Sequence, residues 1–481
     1  MLFRQIADDA LAQYAYLVGC QRTGEALLID PERDVDRYTA AAAAEGLRIT
    51  AVAETHIHAD FLSGARDLAD RTGARLFLSA EGEAEGWGSD WAKGRADATF
   101  LRDGDTFAVG NIKVRAVHTP GHTPEHLSLL VTDLGGGADE PIGLASGDFV
   151  FVGDLGRPDL LETAAQQAGA TRPAAEALYR SVQRFLGLDD HVQVWPGHGA
   201  GSACGKALGA VPQTTVGYER MFNGAIDAAR RGEDAFVEAI LDGQPEPPLY
   251  FARMKRLNRD GVPPLAALPV PRPLAPGDLA ALAGGTIVLD TRADRSAFMA
   301  AHLPGALYAP LGKTFSTVAG SYVTDPETPL VLIADEGEVG EAVRHLVRVG
   351  LDRVEAYATP ATLAAYAASG GETAMIPEVG FEALEAHRDD DGVAVVDVRG
   401  RAEYDAGHVP GALNAPHARL PELVDRVPEG GRVYVHCASG VRSAVASALL
   451  ARAGRDVVYV NDTFAHYREL GEVAVPADAA A

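Results

Sequence analysis

The chain is 481 residues long, 47% hydrophobic, with a formal net charge of −25. That length exceeds a single hydrophobic core, so two to four domains are expected, and the hydrophobic fraction excludes a disordered chain. The acidity argues against nucleic acid, which demands a basic face, and no apolar run approaches the roughly 18 residues that span a bilayer.

Residues 1–9 lack the charged-then-apolar pattern of a leader. Cys20, Cys204 and Cys437 are odd in number and far apart, so no disulfide framework is expected and a reducing cytoplasm is the default compartment. Up to residue 258 strand-like and helix-like segments alternate. Residues 14–19 and 26–29 read as short apolar strands, and 34–45 as an Ala-rich helix stopped by Gly46. Residues 47–54 read as a strand that feeds a loop, and 61–72 as the helix after it. Strands are predicted at 75–78, 106–109, 113–117 and 127–131, and a helix at 174–186 with Pro173 near its first turn.

Four of the strand-like runs end in His or Asp: Thr55-His56-Ile57-His58-Ala59-Asp60-Phe61, His118-Thr119-Pro120-Gly121-His122, Ser146-Gly147-Asp148, and Trp195-Pro196-Gly197-His198. Alternating His and Asp on such loops point imidazole and carboxylate donors at one place, which is how metal sites are assembled. His118 reads as core or as support for the site, and His126 as a pocket candidate. In this order the motifs resemble the metallo-β-lactamase superfamily, whose pattern is His-x-His-x-Asp-His followed by His, Asp and His. Here Phe61 replaces the last His of the first motif. A second metal then loses a donor, which disfavours a two-zinc hydrolase. Two His and one carboxylate instead suit non-haem Fe(II) with positions open for O₂ and substrate.

The Thr-His-x-His-Ala-Asp form, together with Gly156-Arg157-Pro158-Asp159, is similar to the persulfide dioxygenase branch of that superfamily. The resemblance implies an αββα sandwich with one Fe(II) per chain on His56, His122 and Asp148. It makes His58, Asp60 and His198 supporting groups that orient ligands or bound water. Cys204 follows closely on His198 and has two readings, inert packing or a thiol that relays sulfur. Arg157 is expected to contact substrate, with Lys206 a further candidate. The basic residues of 251–258 read either as partners for the negative part of a thiol cofactor or as a solvated helix face.

Residues 259–276 carry six prolines and read as a stiff linker. A repeat follows. Asp290-Thr291-Arg292 and His302-Leu303-Pro304-Gly305-Ala306 recur as Asp397-Val398-Arg399 and His408-Val409-Pro410-Gly411-Ala412. Both copies are similar to the rhodanese family, giving α/β domains at 277–375 and 376–475. In the second copy Cys437 stands between a strand and a helix N-terminus, where backbone N–H groups stabilise a thiolate, and Arg442 adds positive charge. Its loop is one residue shorter than that of a cysteine phosphatase, which favours sulfur over phosphate. In the first copy Asp335 is expected at the Cys position, which would make that domain catalytically silent.

The combined resemblance implies oxidation of a small-molecule persulfide by O₂ to sulfite and thiol. Cys437 would then transfer sulfur to the sulfite, giving thiosulfate, a route of sulfide detoxification. A dinuclear zinc thioester hydrolase of the glyoxalase II type and a non-catalytic sulfur carrier are the alternatives. A dimer or tetramer is expected.

Overall fold

The strand Leu127–Asp133 shows how the N-terminal region is built. Leu127, Leu129 and Val131 point to one face and pack with Tyr16, Leu27, Ala51 and Phe77 of a second sheet. Leu130, on the other face, packs with Leu178, Val182 and Phe185 of the helix Thr171–Phe185. Both faces are therefore covered, as the period of two in a strand dictates. The first sheet runs in sequence order through Leu2–Asp8, Gln13–Cys20, Glu25–Ile29, Arg48–Ala53, Arg75–Ser79 and Ala98–Leu101. The second is ordered Thr214–Thr215, Gln193–Pro196, Gly143–Gly147, Leu127–Asp133, Ile112–His118 and Thr106–Val109. Tyr38, Ala42 and Leu68 cover the outer face of the first sheet. The result is an αββα sandwich.

This computed structural model describes residues 1–165, 167–282 and 284–475. The chain divides into two units. The first holds residues 1–244, 250–267 and 347–350; the second holds 245–249, 268–346 and 351–481. Within the first unit, Arg348 is buried against Asp8 at 2.7 Å, Glu32 at 3.1 Å and Asp34 at 2.7 Å. Among the described residues no helix is long and apolar enough to cross a membrane.

Two segments differ from the sequence reading. The helix expected from residue 61 starts at Ala65, because Leu62 and Gly64 donate their amides to Arg348 O and Pro31 O rather than to a helical turn. Nor is the Pro-rich stretch a free linker throughout. Arg259 and Asp260 end the helix Phe251–Asp260, and Arg272–Pro273 pairs in parallel with Ala356 and Tyr357. An edge position tolerates the missing N–H of Pro273.

The second unit contains two five-stranded parallel sheets of the same strand order. One is Arg272–Pro273, Val354–Ala358, Leu330–Ile333, Ile287–Asp290, Leu307–Tyr308. The other is Glu378–Val379, Asp456–Val460, Arg432–His436, Val393–Asp397, Leu413–Asn414. The repeated motifs do the same local work in each. Arg292 bonds Asp290 at 2.9 and 2.7 Å, and Arg399 bonds Asp397 at 3.0 and 2.6 Å. His302 Nδ1 meets Phe298 O, and His408 Nδ1 meets Tyr404 O, both at 2.9 Å.

Strand register corrects one assignment. Asp290 pairs with Ile333, and Asp397 pairs with His436. The residue that follows is Ala334 in the first copy and Cys437 in the second. Ala334, not Asp335, therefore occupies the Cys position. The first copy's loop runs 334–338 before its helix Val339–Arg348, one residue longer than 437–440 before Val441–Arg452. That extra residue displaced the reading from sequence.

Candidate active sites

His56, His122 and Asp148 meet at the edge of the sandwich, with one donor atom from each within 4.8 Å of the others. All three are buried. Each imidazole is turned by a bond at Nδ1. His122 Nδ1 donates to Arg157 O at 3.2 Å. Thr55 gives its hydroxyl hydrogen to Asp30 at 2.8 Å, so its oxygen accepts from His56 Nδ1 at 2.9 Å. Both Nε2 atoms are thus left as lone-pair donors. They lie 3.8 and 3.6 Å from Asp148 Oδ2. Burial holds both imidazoles well below their ordinary value, hence neutral, the form that ligates. Burial also raises the Asp148 carboxyl to about 6. Among the described residues neither Nε2 and neither oxygen of Asp148 has a hydrogen-bond partner. Buried polar atoms are seldom left so, and this set fits a divalent cation.

The supporting groups divide in two. His58 Nε2 lies 3.0 Å from Glu54 and 3.3 Å from Asp30. Burial works against its charge, but the two carboxylates outweigh it and raise its pKa well above the ordinary value. His58 is thus engaged in an ionic cluster. Its ring packs against Phe61 at 4.3 Å. His198 donates Nδ1 to Ala12 O at 3.2 Å, which turns Nε2 towards Asp60 and Asp148, each at 3.4 Å. Asp60, His198 and Cys204 form a second buried convergence within 4.8 Å. Burial, then Asp148 and Asp60, push the Cys204 thiol well up, so without a cation it stays protonated. His126 accepts the Asp148 amide at Nε2, 3.1 Å away, and so fixes the Asp148 loop. His118 bonds Pro124 O within its own turn.

The expected substrate cations are placed differently. Arg157 spends its guanidinium on Asp159, at 3.0 and 2.7 Å, and on Ala203 O at 3.0 Å. Its visible role is to position the Cys204 loop and, through its carbonyl, His122. Lys206 is exposed, with its ammonium on Ala239 O and Asp242 O, both at 2.7 Å, at the end of the helix Glu233–Leu241. The structure does not bring it into the site.

Sequence reasoning passed over Asp30 and Glu125, and did not single out Lys255 among the basic residues of 251–258. Asp30 ends the strand Glu25–Ile29 at φ 52°, a strained setting for a non-glycine residue that the Thr55 bonds sustain. The strand-end rule that found His56 would have found it. Glu125 accepts the Ile57 amide at 2.7 Å, and burial raises its carboxyl to about 7. Lys255 lies on the buried stripe Phe251, Met254, Lys255, Asn258 of its helix. A charged residue on an apolar stripe was the available signal. Asn258 on the same stripe clamps the metal loop, bonding His58 O at 2.9 Å, Phe61 O at 2.7 Å and Ser63 N at 2.9 Å.

In the second unit Cys437 is buried at the end of Arg432–His436, and Ser443 approaches its sulfur at 3.4 Å. Gly440, at φ 83°, turns the chain into the helix Val441–Arg452, whose first amides have no partner within the helix. Arg442 is paired with Glu403 at 2.5 and 2.8 Å. Its charge acts on Cys437, but as half of an ion pair.

Fold and sites together define a metal-binding αββα enzyme joined to a rhodanese-type cysteine domain. Residues 8–198 match the metallo-β-lactamase superfamily and 381–469 match the rhodanese-like domain. A crystal structure from Staphylococcus aureus described as a metallo-β-lactamase is 40% identical, with a TM-score of 0.68; the match covers 75% of this chain and 99% of that one. The chain therefore belongs to the metallo-β-lactamase superfamily. Two further relatives match about two fifths of it. The mitochondrial persulfide dioxygenase ETHE1 of Bos taurus is 28% identical, over 41% of this chain and 68% of its own length. The hydroxyacylglutathione hydrolase of Nitrosococcus oceani is 31% identical, over 41% of this chain and 66% of its own length.

Proposed function

We propose that the chain is a persulfide dioxygenase fused to a sulfurtransferase. The observation that carries this reading is the convergence of two neutral imidazoles, His56 and His122, with the Asp148 carboxylate, their facing atoms without hydrogen-bond partners among the described residues, with Phe61 standing where the superfamily pattern has a further His. A bound Fe(II) on this triad would supply the redox chemistry and the open positions for O₂. The chain's own residues fix the donors: Thr55 and Arg157 orient the two imidazoles, His126 the Asp148 loop, and Asn258 the segment 58–63. The reaction is R–S–SH + O₂ + H₂O → R–SH + SO₃²⁻ + 2 H⁺. At the second site Cys437 takes the outer sulfur of a second persulfide, R–S–SH + Cys–SH → R–SH + Cys–S–SH, and gives it to sulfite: Cys–S–SH + SO₃²⁻ → Cys–SH + S₂O₃²⁻. The thiol returns with its proton, and the first helical turn offers N–H groups to the anions. Similarity to a persulfide dioxygenase and the rhodanese-like domain support the same reading.

One observation favours a second reading, a dinuclear thioester hydrolase. Asp60, His198 and Cys204 converge beside Asp148, whose Oδ1 faces His198. Oxygen uptake with a persulfide distinguishes the two, and the products of Cys437→Ser test the coupling of the two sites. With persulfide and oxygen supplied, the variant should release mostly sulfite where the wild type gives thiosulfate, with its metal content unchanged. Wild-type thiosulfate from Cys437→Ser, corrected for uncatalysed reaction of sulfite with persulfide, would break the proposed coupling.

A further inference from the structure

Lys255 belongs to none of the donor sets, yet its Nζ is buried and has no hydrogen-bond partner among the described residues. An unpaired buried ammonium is costly and is seldom retained without a negative partner. It sits over the Trp87 ring, 4.9 Å from the centroid, a face that attracts cations. Its charge interacts with His56, His122, Glu125 and Asp148. Glu125 Oε2 is likewise buried and unpartnered. Arg157 and Lys206, the cations expected to serve substrate, are spent elsewhere. The helix that carries Lys255 is tied by Asn258 to the loop following His56, so the ammonium is held in register with the metal triad.

We propose that Lys255 is the anion-binding residue of this pocket and holds the negatively charged terminal sulfur of the substrate, R–S–S⁻. The proposal rests on the persulfide reading and adds to it the charge state in which the substrate is taken. Glu125 and Asp148 are buried carboxyl groups that interact electrostatically with Lys255, and they repel an entering anion. One ammonium in a dry site offsets that repulsion and donates a charge-assisted hydrogen bond. A neutral thioester would gain far less from it.

The test is oxygen uptake by the iron-loaded full chain with glutathione persulfide. Lys255→Met should raise KM about 10- to 100-fold, leaving iron content and Cys437 sulfurtransfer unchanged, and Lys255→Arg should recover most of the loss. Wild-type KM in an active Lys255→Met enzyme would overturn the role of Lys255 and leave the persulfide reading intact. No oxygen uptake by the wild type with any persulfide would overturn both. Should Lys255→Met not fold, the wild type is challenged with the S-methyl disulfide of glutathione, similar in shape but without the charge. An inhibition constant about tenfold or more above the persulfide KM supports the proposal; equality overturns it.

Discussion

Asp148→Asn should change two properties in opposite directions. The carboxylate supplies one of three protein donors, and its Oδ2 lies 3.8 and 3.6 Å from His56 and His122. Zinc sites with four protein donors bind with about 10–16 kcal/mol, so one donor is worth about 3–4 kcal/mol. Iron affinity should therefore fall about 10²- to 10³-fold. In the metal-free protein the same carboxylate is a liability, since both oxygens are buried without a hydrogen-bond partner among the described residues. Asn keeps the shape and removes the charge, so the metal-free variant should be more stable by about 1–2 kcal/mol. Chelator competition reads the first effect, and urea denaturation of metal-free protein reads the second. Wild-type iron affinity, or a metal-free variant weaker than wild type, would show that Asp148 is a structural ion-pair partner instead.

Arg399→Ala strands a buried Asp397 and removes the bond to Gly407 O; it should cost about 3–5 kcal/mol in urea denaturation, and an unchanged midpoint would show that the Arg399–Asp397 pair does not stabilise the domain. Cys204→Ser should alter turnover or the ratio of sulfite to thiosulfate without loss of iron, and unchanged kinetics with every persulfide tried would leave Cys204 as packing. Asp335→Ala should keep both activities at wild-type level, since register puts Ala334 opposite Cys437; loss of either in a folded variant would give the first repeat an active part.

The convergence of His56, His122 and Asp148 was legible because each follows a strand end and because the order of the motifs resembles the metallo-β-lactamase pattern. Lys255 was legible only as one of two readings, because the burial of its stripe against the loop after His56 shows once the helix is packed. The bonds of Arg157 and Lys206 were not legible for the complementary reason: their partners, Asp159 with Ala203 O and the carbonyls of 239 and 242, exist only once the loops are placed. The Ala334 displacement came from a loop one residue longer than its counterpart, which motif alignment cannot register and strand pairing can. Arg348 meets Asp34 from 314 positions away, beyond the reach of any local pattern.

Simultaneous measurement of oxygen consumption and metal content on the purified chain bears most directly on the persulfide reading. With glutathione persulfide as substrate, the account predicts one O₂ consumed per persulfide oxidised to sulfite and one iron per chain, both abolished in His122→Ala. Two zinc ions per chain, with thioester hydrolysis and no oxygen uptake, would contradict it.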